Sequence, residues 1–191
     1  TTNEDTSLNI DLSSYVSDVD NDDLAVTFTS NASNGSLTAN NLIITYTPNL
    51  NFNGNDSFSW SVSDGTVSTG AVNTNIVVTS VNDAPVTTNQ SATAVTNQAL
   101  DITLTSTDIE SDSVTYSIVS DVSNGSTSLN GAVVTYTPNT NYTGSDSFTF
   151  KANDGIDDSN ISTISLQVVS SDNSIIYVHN ESSNGDGSYN N

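Results

Sequence analysis

The sequence contains no cysteine and no methionine, and a single Lys or Arg faces 22 acidic residues, giving a formal net charge of -21 over 191 positions. Without cysteine there are no disulfide staples, thiolate metal sites or thiol nucleophiles. With one cation, Lys151, the protein cannot neutralise a row of phosphates or an anionic bilayer, which excludes nucleic acid and membrane surfaces as partners and favours cationic ones. The one histidine, His179, lies near Glu181 with no second His or Cys to complete a transition-metal site, and it reads as a solvated side chain. No apolar run approaches the roughly 20 residues that cross a bilayer. The first residues, TTNEDTSL, lack the basic start and apolar stretch of a signal peptide, so the chain reads as an internal piece of a longer protein. Apolar residues make up 34% of the sequence, which at this length suits one or two small domains rather than one deep core.

What is present is a repeat. ITYTPNLNFNGNDSFSWSVSDG at 44–65 recurs as VTYTPNTNYTGSDSFTFKANDG at 134–155, an offset of 90 that places Pro138 on Pro48. The same offset carries Asn34-Gly35 onto Asn124-Gly125, Asp56 onto Asp146, Asp64 onto Asp154, and Asp18, Asp20 and Asp22 onto Asp108, Glu110 and Asp112. Upstream it becomes 92, pairing Leu8, Ile10 and Leu12 with Leu100, Ile102 and Leu104, so Tyr15-Val16 is a two-residue loop insertion in the first copy. Two tandem domains are expected at 1–82 and 83–171, with 172–191 a tail or the start of a following domain. The linker VNDAPVTTNQ has no counterpart before Thr1, which suggests a preceding domain.

Within each copy apolar residues alternate, as in Leu24, Val26, Phe28, then Phe58, Trp60, Val62, then Ile76, Val78. That is the period of strands buried on one face. Thr, Val, Ile and Tyr favour strands, while Asn-Gly at 34, 53, 124 and 130 and Asp-Gly at 64 and 154 favour tight turns. The pattern predicts an all-β protein of two β-sandwiches with about seven strands each. SIIYVHN in the tail reads as one more strand. Trp60, Phe58 and Tyr46 match Phe150, Phe148 and Tyr136, which assigns them to the core rather than to a sugar-stacking platform. Lys151 falls between inward-facing Phe150 and Ala152 and points outward, which argues against an internal isopeptide bond.

The carboxylates cluster at strand ends. Asp18, Asp20, Asp22 and Asp23 lie within six residues of one another. Both a solvated acidic loop and a calcium ligand set fit such a run, calcium taking six to eight oxygen ligands. An EF-hand does not fit, because its sixth position would be Asp23 and its twelfth Thr29. Topology sharpens the choice. If strands alternate down and up, the bottom of copy one holds Glu4 and Asp56, followed by linker residues Asn82 and Asp83. The top of copy two holds Asp108, Glu110, Asp112 and Asp154. These groups are expected to meet at one junction, while Asp18, Asp20, Asp22 and Asp64 form a weaker half-site.

Here the sequence resembles bacterial cadherin-like domains over residues 1 to about 171. Glu4 matches the family's Glu near the first strand, and S-T-D108-I-E110 before Tyr116-Ser117-Ile118 resembles its A-x-D-x-D stretch. Ala152-Asn153-Asp154-Gly155 resembles its A-x-D-x-G turn, and Val81-Asn82-Asp83-Ala84-Pro85 its linker. The linker lacks the first Asp, Ala84 replaces a liganding Asn, and N-G-N-D56-S-F stands in place of D-R-E. The resemblance implies seven-stranded Greek-key sandwiches of the cadherin/Ig-like kind. It also implies Ca2+ between domains, in fewer ions than a full cadherin junction holds. The expected protein is a non-catalytic calcium-binding adhesion and spacer module of a large extracellular or cell-surface secreted bacterial protein. Its expected partners are neighbouring repeats and cell-surface proteins or polysaccharides, and it is expected to be a monomer in solution without membrane insertion. The alternative is a glycan-binding accessory module beside a carbohydrate-active domain. No G-x-S-x-G elbow occurs, and no catalytic residue is expected.

Overall fold

The computed structural model describes residues 1–171, so the tail from Asp172 onward, with SIIYVHN, His179 and Glu181, lies outside the described residues. Those residues are all-β, and none of their segments is a helix long and apolar enough to cross a membrane. They divide into two compact units, the first made of Thr1–Ala84 and Asp108–Asp112, the second of Pro85–Thr107 and the described residues from Ser113 on.

The first unit has seven strands in two sheets. β1 (Thr2–Asn3), β7 (Val72–Thr79), β6 (Gly54–Ser63) and β3 (Ala25–Ser30) form one sheet in that order, and β2 (Leu8–Asp11), β5 (Ile43–Pro48) and β4 (Gly35–Asn40) form the other. The period-two pattern decides which faces meet. Phe58, Trp60 and Val62 on β6 and Ile76 and Val78 on β7 are buried against Ile44 and Tyr46 of the opposite sheet. Leu24, Val26 and Phe28 pack partly buried on the same core, Phe28 meeting the Phe58 ring edge-on at 6.1 Å. The Trp60 indole N–H donates to Thr74 Oγ1 at 2.9 Å, which satisfies its polar edge inside the sandwich.

The second unit repeats the plan. β12 (Thr115–Ser120), β15 (Gly144–Asn153), β16 (Ser162–Val169) and β9 (Gln90–Val95) form its larger sheet, and β10 (Leu100–Thr103), β14 (Val133–Pro138) and β13 (Gly125–Asn130) the smaller. A two-residue pair, β8 (Val86–Thr87) with β11 (Ser106–Thr107), brings its strands to nine. Val134, Tyr136, Phe148, Phe150, Ile164, Leu166 and Val168 fill the core. β9 runs parallel to β16 across six residue pairs, whereas β1 pairs with β7 across two.

Each unit carries the same polar lock. Asp56 is 7% exposed, and its carboxylate accepts the backbone N–H groups of Ser33, Asn34 and Ser57 and the Tyr46 hydroxyl, the last at 3.0 Å. Asp146 does the same for Ser123, Asn124, Ser147 and Tyr136. The turn before β4 or β13 is thereby fixed to the opposite sheet. Glycine is required there, because a Cβ on Gly35 would lie 2.4 Å from Tyr46 Cε2 and one on Gly125 would lie 2.5 Å from the Thr137 carbonyl.

Candidate functional site

The site is built around Glu4, a charged residue at the end of β1 that is only 2% exposed. Its main chain continues the parallel pairing, Glu4 N donating to Thr79 O at 2.9 Å, and this carries the side chain inward. Oε1 accepts the Val81 N–H at 2.6 Å, while Oε2 has no hydrogen-bond partner. Leaving a buried carboxylate oxygen bare costs free energy unless a counter-charge meets it.

Three further carboxylates of the first unit share this condition. The buried oxygens Asp83 Oδ2, Asp108 Oδ2 and Glu110 Oε1 likewise have no hydrogen-bond partner. They are tied together through their other atoms. The Asp83 N–H donates to Glu110 Oε2 at 3.3 Å, and Asp108 Oδ1 accepts the Asp112 N–H at 2.8 Å, closing a loop in which Ser111 takes a left-handed φ of 64°. Burial, and after it the negative charges of Asp5, Glu4 and Asp108, push the Asp83 carboxyl above the usual carboxylate range. Asp5 is therefore a member of the cluster that the sequence pattern did not assign. Its adjacency to Glu4 was the available signal, and the structure adds that Asp5 Oδ1 accepts the Asn51 N–H at 3.0 Å.

No cation of the described residues reaches this cluster, since the Lys151 ammonium pairs with Asp158 in the second unit. Among the described residues no group of three or more His, Asp or Glu side chains is already arranged to hold a metal ion. Like charges in a low-dielectric setting repel until a counter-charge neutralises them. The donor set is all oxygen, and four of its oxygens are buried without partners. Such groups fit a hard cation of the calcium type, whose ligand number and geometry are flexible, better than a soft or borderline metal.

The remaining candidates lie elsewhere. Asp56 is turned to the lock described above with both oxygens engaged, so it stands outside the cluster. Its position at the start of β6 had suggested a ligand. Its counterpart Asp146, with Tyr136 and Asn124 in step, is the sequence signal of an architectural role. Asp112 is exposed and contributes its N–H, while Asn82 is half-buried beside Asp83. Asp154, in the second unit, caps its turn by accepting the N–H groups of Ile156 and Asp157, both at 2.7 Å. In the first unit Asp18 accepts the N–H groups of Asp20 and Asp22, and Asp64 those of Thr66 and Val67. Asp18 and Asp64 line one concavity with Tyr15, Leu24 and Val67, whereas Asp20 and Asp22 are exposed on the loop.

Comparison with known proteins agrees with this architecture. The family model described as "Cadherin-like domain" matches residues 1–79, and that described as "Bacterial Ig domain" matches residues 82–167. The chain is a tandem of bacterial cadherin-like, Ig-like repeats. No curated protein matches it. Human CDH23 EC21-23 superposes with a TM-score of 0.51 at 16% identity, covering 88% of this chain and 71% of that one, a likeness of fold. Human mucin-like protocadherin EC1-2 gives a TM-score of 0.45 at 14% identity over 78% of this chain and 85% of that one. The endo-fucoidan hydrolase MfFcnA4 of glycoside hydrolase family 107 gives 0.40 at 25% identity over 88% of this chain. The protein spans about a quarter of the fucoidan hydrolase chains, 24% and 27% in two structures.

Proposed function

We propose that the two cadherin-like repeats form a non-catalytic spacer and adhesion segment of an extracellular or cell-surface bacterial protein, stiffened by Ca2+ bound among Glu4, Asp83, Asp108 and Glu110. The observation that carries the reading is the set of four buried carboxylate oxygens without partners in a protein whose single Lys is engaged elsewhere. Asp5, Asn82 and Asp112 lie next to these ligands in sequence and supply further oxygens. Residues Asp108–Asp112 follow the linker in sequence yet group with the first unit, so all four proposed ligands belong to one compact unit. Calcium supplies the positive charge that lets the carboxylates close in, and its absence leaves them repelling.

The test is thermal unfolding in EDTA and in rising Ca2+. Binding to the folded state alone adds about 2.7 kcal/mol when the free ion stands at 100 times its Kd. The Glu4→Gln variant should melt at least as high as the parent in EDTA and lose most of the calcium-induced rise. Superimposable parent curves with and without the ion would remove calcium from the account. For stiffness, X-ray scattering should give a narrower distribution of maximum dimensions with Ca2+ than in EDTA.

A further inference from the structure

Four Asn-Gly pairs fall among the described residues, at 34, 53, 124 and 130, a fifth at 184 lying outside them, and the fold treats the four differently. Asn34 is immobilised: its N–H donates to Asp56 Oδ2 at 2.9 Å and its carbonyl accepts the Asn49 N–H at 2.8 Å, while Gly35 is walled in by Tyr46. Asn124-Gly125 is held in the same way by Asp146, Asn139 and Tyr136. Gly54 opens β6 in register with Val78, against the Phe52 ring. Asn130-Gly131 has none of these restraints. Asn130 ends β13 and Val133 begins β14, so Gly131 and Ala132 form a two-residue hairpin connection at the exposed edge of the smaller sheet. Gly131 has φ 60°, with nothing within 4 Å of where a Cβ would stand. Its N–H makes none of the turn hydrogen bonds, and the exposed Asn130 side chain is held by no partner.

We propose that Asn130 is a site of spontaneous covalent modification, deamidation through a cyclic imide formed with the Gly131 amide. The Gly131 nitrogen loses its proton to solvent base and attacks Asn130 Cγ. The new C–N bond forms as the C–NH2 bond of the Asn130 amide breaks, and ammonia leaves. Water then opens the imide at either carbonyl, leaving aspartate or isoaspartate, with no change of oxidation state. The first product adds one negative charge at the hairpin. The second also lengthens the main chain by one carbon between β13 and β14. The first repeat is built to avoid this step, because its equivalent hairpin carries Asn40-Asn41-Leu42, with Asn41 in the left-handed position at φ 52° and side chains on the residues that follow each Asn. The modification thus marks one repeat and spares the other.

The experiment is ageing of the whole folded protein in mildly alkaline buffer, followed by peptide mapping that separates Asn, Asp and isoAsp forms, beside a parallel sample kept in denaturant. In the folded protein the peptide containing Asn130 should gain its one mass unit several-fold faster than those containing Asn34, Asn53 and Asn124, and faster still as pH rises. In denaturant the four should converge. Asn130→Ser, checked for an unchanged melting curve, should remove the leading event among these four sites, the peptide containing Asn184 being followed separately. Equal rates at all four sites in the folded protein, or Asn34 or Asn124 leading, would overturn the proposal. So would an Asn130 that stays intact in the fold while reacting in denaturant.

Discussion

The Glu4 N–H donates to Thr79 in the first repeat as the Thr96 N–H donates to Val169 in the second. The next residues, Asp5 and Asn97, both take left-handed φ values, 54° and 60°, and use a side-chain oxygen to receive the N–H of Asn51 or Asn141. The backbone is therefore the same device twice, while its chemistry has been changed from two carboxylates to a hydroxyl and an amide. Thr96 is 8% exposed with an unpartnered Oγ1, a small cost, whereas Glu4 buries a charge. Two side-chain differences thus separate a charged form of this device from a neutral one while the backbone stays the same.

The largest expected effect tests the shared half of this comparison. Asp56→Ala and Asp146→Ala each strip three backbone N–H groups and a buried Tyr hydroxyl of their acceptor, so each should destabilise its own repeat by about 3 kcal/mol or more. Trp60, the sole tryptophan, reports the first repeat by fluorescence, while near-ultraviolet dichroism follows both. A large loss in one repeat with none in the other would break the equivalence. Next in size, Thr96→Glu places a carboxylate where no counter-charge waits and should cost the second repeat about 2 kcal/mol, again by melting. A neutral result would mean that the two positions differ less than their surroundings suggest.

Acid should affect both repeats alike. Burial pushes the Asp56 and Asp146 carboxyls up, but the three N–H groups and the Tyr hydroxyl facing each outweigh it, and both end below the usual carboxylate range. A depressed folded value contributes stability above the unfolded value of about 3.9 and loses it as pH falls through the folded one. Denaturation midpoints followed from neutral pH to about pH 2 should fall along that limb, and Asp56→Asn should flatten it. Burial, and after it the Asp56 hydrogen bond, push the Tyr46 hydroxyl up to about 12, so it stays protonated throughout. The smallest effect belongs to Lys151→Gln. Its ion pair with Asp158 is substantially exposed and screened by solvent, so its loss should barely move the melting curve, and a clear loss would give the only Lys a role beyond its surface pair.

Much of this was legible in the sequence. Alternation in SFSWSV and SFTFKA places Phe58, Trp60, Phe148 and Phe150 in the cores, and the offset of 90 aligns the repeats. Topology alone brings Glu4, Asp83, Asp108 and Glu110 into consideration together. Asp56 was misleading for a physical reason: a carboxylate at a strand start can face a loop ion or a loop backbone, and only the hydrogen bonds distinguish the two. Asp5 was passed over because its part depends on the charge felt by Asp83, which no pattern of spacing displays.

The second repeat contains a seam that decides how it would yield if pulled at its ends. Its strands β9 and β16 lie side by side in parallel over six residue pairs, so force drawing the ends of that repeat apart runs lengthwise along the seam. Hydrogen bonds loaded in shear yield together rather than one after another, as they would in an antiparallel hairpin opened from its tip. Single-molecule pulling should then find the second repeat giving way in one abrupt event, with Ala92→Pro, which removes a β9 N–H donor on the side facing β16, lowering the force it withstands.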